Sequence, residues 1–205
     1  MKDTQDYLRD ITEIRSMMER SSKFLSLSGW AGVLAGVYAL AGAYIAYGIF
    51  NFIPDGSIYG SALQPGELTN LIILAFIVLA LALGSAIFLS YRNAVKKGEV
   101  VWNPASRMLM TDMIVPLGSG GLLIIILLSH SLIGLIPATM LIFYGLSLFN
   151  ASKYTFGEVR YLGLIQIVLG LAAAVYPEYS LILWALGFGA VHIIYGIFLH
   201  YRYQR

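Results

Sequence analysis

The chain of 205 residues contains no cysteine, which removes disulfides, thiolate nucleophiles and Cys-ligated metals from consideration. Charge is scarce too. Asp, Glu, Lys and Arg make up 12% of the residues, against about 25% in an average globular protein. The formal net charge is +2 with no basic run, too weak a footprint for nucleic acid. Histidine occurs three times, at 130, 192 and 200, without the spacing of a metal motif. Paired carboxylates within an apolar run, a Ser/His/Asp arrangement and a phosphate-binding glycine loop are all lacking, so no catalytic residues and no cofactor are expected. What the chain has instead is apolar residues, at 59%. A soluble protein of this size cannot bury that fraction, so the expected partner is the lipid bilayer.

Charge-free runs divide the chain. They cover Phe24–Phe50, Leu68–Tyr91, Met113–Ser152, Tyr161–Pro177 and Tyr179–Tyr201. The 40-residue third run is twice the length of a membrane-spanning helix, about 20 residues, and Ser129-His130-Ser131 breaks it in the middle. Six spans follow, at about 25–49, 69–91, 110–128, 132–150, 160–176 and 179–201. The expected fold is therefore all-α: a polytopic bundle of six transmembrane helices preceded by a cytoplasmic segment, 1–23. With both termini placed inside, all 13 Lys and Arg fall on the cytoplasmic side, and the outer loops hold only Asp55, Glu67 and Glu178. A multi-pass inner-membrane location with cytoplasmic N- and C-termini is the expectation. The first apolar run is too long for a secretory h-region and follows a tail with five acidic residues, so a cleaved signal peptide is not expected.

The spans read as three hairpins of the same orientation, about 24–92, 108–155 and 159–205. Span two ends Ile87-Phe88-Leu89-Ser90-Tyr91-Arg92 and span six ends Ile197-Phe198-Leu199-His200-Tyr201-Arg202. Gly29 and Gly36 in span one have the spacing of Gly163 and Gly170 in span five, and Pro54 and Pro177 close the outer ends. Tyr144-Gly145 in span four matches Tyr195-Gly196 in span six. The middle hairpin is the most diverged. This pattern, strongest over Tyr161-Leu-Gly-Leu-Ile-Gln-Ile-Val-Leu-Gly170 with Pro177 and Tyr195-Gly196, resembles the repeat of the HdeD-like bacterial acid-resistance membrane proteins. The resemblance covers the third hairpin best, the first in part and the second poorly. It implies a six-span inner-membrane protein linked to stress, and it carries no catalytic residues over. The charged tail and the long first outer loop depart from it.

Helices in lipid associate through small residues that let backbones approach. Gly29, Gly32 and Gly36, continued by Ala39 and Ala43, form such a stripe on span one; Gly189 and Gly196 form one on span six. Their contacts lie either within the chain or between subunits. The tail over 4–20 has the spacing of an amphipathic helix, with Tyr7, Ile11, Ile14 and Met18 on one side. With five acids and five bases it is neutral, unlike a basic lipid anchor. It either rests on its own bundle or the membrane, or docks a cytoplasmic partner or a second subunit.

Ionisable and polar residues inside a membrane are the candidates for function. His192 shares the small-residue face of span six. It is either a proton relay or pH sensor, or a neutral histidine bonded to a tyrosine or a carbonyl. Tyr195 lies one turn on. Gln166 is the one amide well inside span five. Asp112 precedes an apolar run, the position of an interfacial helix cap. Pro116, Gly118, Gly120 and Gly121 then make a poor continuous helix, and Ser119 lies within that break. Two readings result. One is a non-catalytic protein of regulatory, stress-related or scaffolding role. The other is a small transporter or channel with a polar site around Asp112, the 116–121 break and His192.

Overall fold

A computed structural model describes residues 27–50, 52, 65–98 and 101–204. The expected tail helix over 4–20 lies outside them. The described residues are mostly helical, and no strand occurs among them. The elements are α1 (Gly29–Gly48), α2 (Pro65–Lys96), α3 (Pro104–Ser129), a 3-10 turn (Ile133–Leu135), α4 (Ile136–Ala151), α5 (Val159–Val175) and a second 3-10 turn (Pro177–Tyr179). A last rod follows, made of α6 (Ser180–Trp184), a π-helical segment (Ala185–Val191) and α7 (His192–Tyr203).

Five helical stretches are long and apolar enough to cross a membrane; α5, at 17 residues, is the short one. Their large apolar side chains point outward rather than in. The most apolar window of α2 has none of its residues buried, and Phe76, Ile87, Ile114, Val115 and Ile194 are all well exposed. An outer surface of this kind is stable in hydrocarbon and not in water. The fold is that of a multi-pass membrane protein.

The helix ends correct two expectations. The third helix begins at Pro104, not near 110, because Asn103 is a strong cap. Its Oδ1 accepts from the Ser106 N–H at 2.8 Å, and Ser106 Oγ accepts from the Asn103 N–H at 3.0 Å. Asp112 is therefore inside the helix and caps nothing. Nor does α3 break at Pro116–Gly121; it is continuous to Ser129. An unwound backbone in apolar surroundings leaves costly unpaired groups, which outweighs the weak propensity of these residues. Ser119 helps, its hydroxyl donating to the Val115 and Pro116 carbonyls at 2.8 and 3.0 Å. The chain does reverse at Ser129-His130-Ser131, where Ser131 takes a left-handed backbone with φ 59°.

Packing is uneven. α1 lies between α2 and the last rod; α4 lies between α3 and α5; α6 packs on both α5 and α4. α2 and α3 are thus the peripheral helices, and the seam between the last rod and α4/α5 is the interior. Leu141, Ala138 and Ala173 are buried there against Leu169, Leu183, Trp184 and Phe188. Toward the other end Leu148, Phe156, Val159, Leu162 and Leu199 close around Tyr144, Val191 and Tyr195.

Candidate functional site

Two glycine joints hold the interior together. At the first, between α1 and the last rod, a methyl group added to Gly29 would stand 2.5 Å from the Gly196 carbonyl oxygen and 2.6 Å from the His200 nitrogen. One on Gly36 would meet the Gly189 oxygen and Ile193 Cγ1, each at 2.6 Å. Gly32 faces the His192 carbonyl and Gly196. These contacts are within the chain. At the second joint, between α5 and α4, a methyl on Gly163 would stand 2.7 Å from the Gly145 oxygen and 2.8 Å from the Phe149 nitrogen. One on Gly170 would meet Ile142 Cγ1 at 2.6 Å and the Ala138 oxygen at 3.0 Å. The register is the same in both: Gly29, Gly36, Gly189, Ile193, Gly196 and His200 correspond to Gly163, Gly170, Ala138, Ile142, Gly145 and Phe149.

The polar centre sits beside these joints. The π-helical segment places the Gly187 carbonyl toward α5, where it accepts two bonds: from Gln166 Nε2 at 2.7 Å and from His192 Nδ1 at 2.8 Å. A carbonyl only accepts, so Nδ1 carries the proton of a neutral imidazole. That leaves Nε2 bare, and the Tyr144 hydroxyl donates to it at 3.0 Å. The 3.4 Å approach of Gln166 Nε2 to Nδ1 brings two donors together and is not a bond. The amide orientation is fixed by the same reasoning, since its oxygen would otherwise face the carbonyl. Trp184, Phe188 and His192 stack along the rod, with ring centroids 5.2 and 5.8 Å apart, and Tyr144 lies 5.0 Å from Phe188. Single-turn π segments recur at functional positions, because the wider turn re-aims carbonyls and side chains.

The structure therefore brings His192 and Gln166 together, and adds Tyr144 and the Gly187 carbonyl. Tyr195 lies a turn beyond His192, packed in the same cluster as Tyr144, with its buried hydroxyl unpartnered. Asp112 and Ser119 belong to α3, which packs mainly on α4. Ser119 is exposed and bonded to its own helix. Tyr144 was accessible to sequence reasoning through its pairing with Gly145, the motif repeated at Tyr195-Gly196. The π segment has no such mark.

A clasp closes the end of the bundle near residue 204. Gln204 Nε2 donates to the Leu27 carbonyl at 2.9 Å, and its Oε1 accepts from the Gly29 N–H at 3.2 Å, capping α1 from the far end of the chain. Tyr203 donates to Glu158 Oε1 at 2.9 Å, and Arg202 lies 3.4 Å from the same oxygen. Among the described residues no cluster of three metal-ligating side chains occurs. In comparisons with known proteins, no protein-family model, no curated protein and no solved structure matches the chain.

Proposed function

We propose that this is a non-catalytic inner-membrane protein of regulatory, stress-related or scaffolding role, built from three hairpins that cross the membrane six times with both termini in the cytoplasm. The observation that supports it best is the pair of glycine joints. They bring backbones into direct contact in one shared register and leave His192 bonded entirely to protein groups. That is how a rigid scaffold is built. The shared register also supports the hairpin repeat, and the HdeD-like resemblance points in the same direction. On this reading the segment 4–20 is the docking element, for a cytoplasmic partner or a second copy.

Two experiments test it. Single cysteines placed at Gly98 and Ser131 in this cysteine-free chain should react with an impermeant thiol reagent from the cytoplasmic and outer faces respectively; labelling of both from one face refutes the topology. Deleting residues 1–20 should leave membrane insertion intact and abolish co-purification of partners. Unchanged co-purification refutes the docking role.

A second reading, a small transporter or channel, is favoured by a specific feature. The Gln166 carbonyl oxygen is fully buried in the interior without a hydrogen-bond partner. With α3 continuous, this reading centres on the His192 cluster rather than on Asp112 and residues 116–121. Reconstituted protein should then move a small ion or polar solute across vesicles, and tracer-tight vesicles refute it.

A further inference from the structure

Five buried side-chain atoms among the described residues have no hydrogen-bond partner: Ser180 Oγ, Trp184 Nε1, Gln166 Oε1, Tyr195 Oη and Thr155 Oγ1. Their distribution is far from random. Ser180, Trp184 and Tyr195 are on the last rod; Gln166 is on α5; Thr155 lies in the link between α4 and α5. Trp184, Gln166 and Tyr195 pack in the seam between the last rod and α4/α5, and Ser180 and Thr155 are buried near its two ends. Trp184 is packed with Leu141 and Ala173, Gln166 reaches Gly187, and Tyr195 is packed with Leu148 and Leu162. Ser180, Gln166 and Thr155 are almost completely inaccessible. Each such atom costs about 1–3 kcal/mol if left unpaired, and buried polar atoms in proteins are as a rule satisfied by protein or by internal water.

The order along the seam is also informative. Ser180 stands at the Pro177 end. Trp184 follows one turn on, then Gln166 beside Gly187, then His192 with Tyr144, then Tyr195. Thr155 precedes the end at which Glu158 meets Tyr203 and Arg202. From Ser180 to Tyr203 the rod covers about 35 Å at about 1.5 Å per residue, enough to cross a hydrocarbon core of about 30 Å. Successive polar groups along the rod are about 5–8 Å apart axially up to Tyr195, a gap that one or two waters bridge.

We propose that this seam holds a file of internal water and conducts protons across the membrane through His192. It rests on the second reading above, and names the cargo. The chemistry needs only N–H and O–H bonds. His192 Nδ1–H stays on the Gly187 carbonyl and Nε2 faces Tyr144, so the proton reaches Nε2 from the Tyr144 hydroxyl, whose oxygen takes its replacement from water. Tyr144 then reverses: its oxygen accepts from Nε2–H and its own proton turns to the next water. Rotation of the imidazolium away from Tyr144 then lets Nε2–H release its proton to water on the far side, and the ring's return restores the neutral form and both starting hydrogen bonds. Tyr144 from α4 and Tyr195 on the rod are the titratable groups around His192; α5 presents Gln166, and α1 presents Gly32 and Gly36. Trp184 donates to a water but passes no proton itself.

The test is proton flux into vesicles carrying the full chain, read with an internal pH dye under a potassium-valinomycin potential. Protein-loaded vesicles should take up protons faster than protein-free ones. Gln166→Leu and His192→Leu should reduce the excess at least ten-fold. Ser180→Ala and Trp184→Phe remove atoms that bond nothing in the protein, so they leave folding intact and still lower the flux several-fold. Uptake no faster than in protein-free vesicles overturns the inference, as does uptake unchanged in all four variants. Rubidium and chloride tracers in the same vesicles separate it from the reading beneath it. Tracer movement without protons overturns the proton path alone, and movement of neither overturns both.

Discussion

The two glycine joints solve one packing problem in two settings. At α1 and the last rod, Gly29 and Gly36 lie against Gly196 and Ile193; at α5 and α4, Gly163 and Gly170 lie against Gly145 and Ile142. Register and contacts agree. The residues between the joint glycines do not. Gly32 in the first joint corresponds to Gln166 in the second, and His192 corresponds to Leu141. Polar groups at these positions have left the close-packed backbones in place, because each points into the seam rather than across its own joint. Membrane helices gain nothing from apolar burial against one another, so contact depth is set by small residues. The side chains beside those contacts are then free to carry other chemistry.

Changes at the joints should have the largest effect. Gly196→Ala and Gly163→Ala each force a methyl against backbone, for which about 1–3 kcal/mol is expected, more where the helices cannot part. Unfolding in mixed detergent should show losses that match within about 1 kcal/mol; a neutral result at one of them would break the equivalence of the joints. Next comes Gln166→Leu, which has no counterpart at Gly32. It removes one donor from the Gly187 carbonyl and keeps the volume, so about 1–2 kcal/mol of stability should be lost by the same measurement.

The two tyrosines that precede the joint glycines sharpen the contrast. Tyr144→Phe strips the His192 Nε2 of its donor and should cost about 1 kcal/mol. Tyr195→Phe removes a hydroxyl that bonds no protein group, and should be near neutral. Equal losses in the two variants would show a Tyr195 hydroxyl bonded to a protein group. The smallest expected change is a gain. A methyl on Gly84 or Gly118 meets nothing within 4 Å. Gly84→Ala and Gly118→Ala should therefore stabilise their peripheral helices slightly, by less than the about 1 kcal/mol that the change gives in a water-exposed helix, seen as a small rise in melting temperature.

Much of this architecture is legible in the sequence. Charge-free runs place the helices to within a few residues, except where the Asn103–Ser106 cap starts α3 early. The Gly29, Gly32, Gly36 stripe and its partners Gly189 and Gly196 are visible as spacing, because close backbone approach in lipid demands residues without side chains. The second joint is half visible, since Gly163 and Gly170 repeat the spacing while their partners include Ile142 and Ala138. The 116–121 segment misled because propensity measured in water overstates the weakness of Pro and Gly where an unpaired backbone is the worse alternative.

The functional centre divides in the same way. The identities of His192 and Gln166 as rare polar residues in apolar runs are facts of the sequence. Their meeting is not, for it depends on α5 crossing the last rod at Gly187 and on a π turn that aims one carbonyl at both. Tyr144 reaches His192 from 48 residues away, and nothing local in either helix specifies that contact. Which segments are helical and which faces are small enough to touch follows from residue identity, because hydropathy and side-chain volume are properties of single residues. Which polar groups share the seam depends instead on helix crossing and rotation, to which distant residues contribute together.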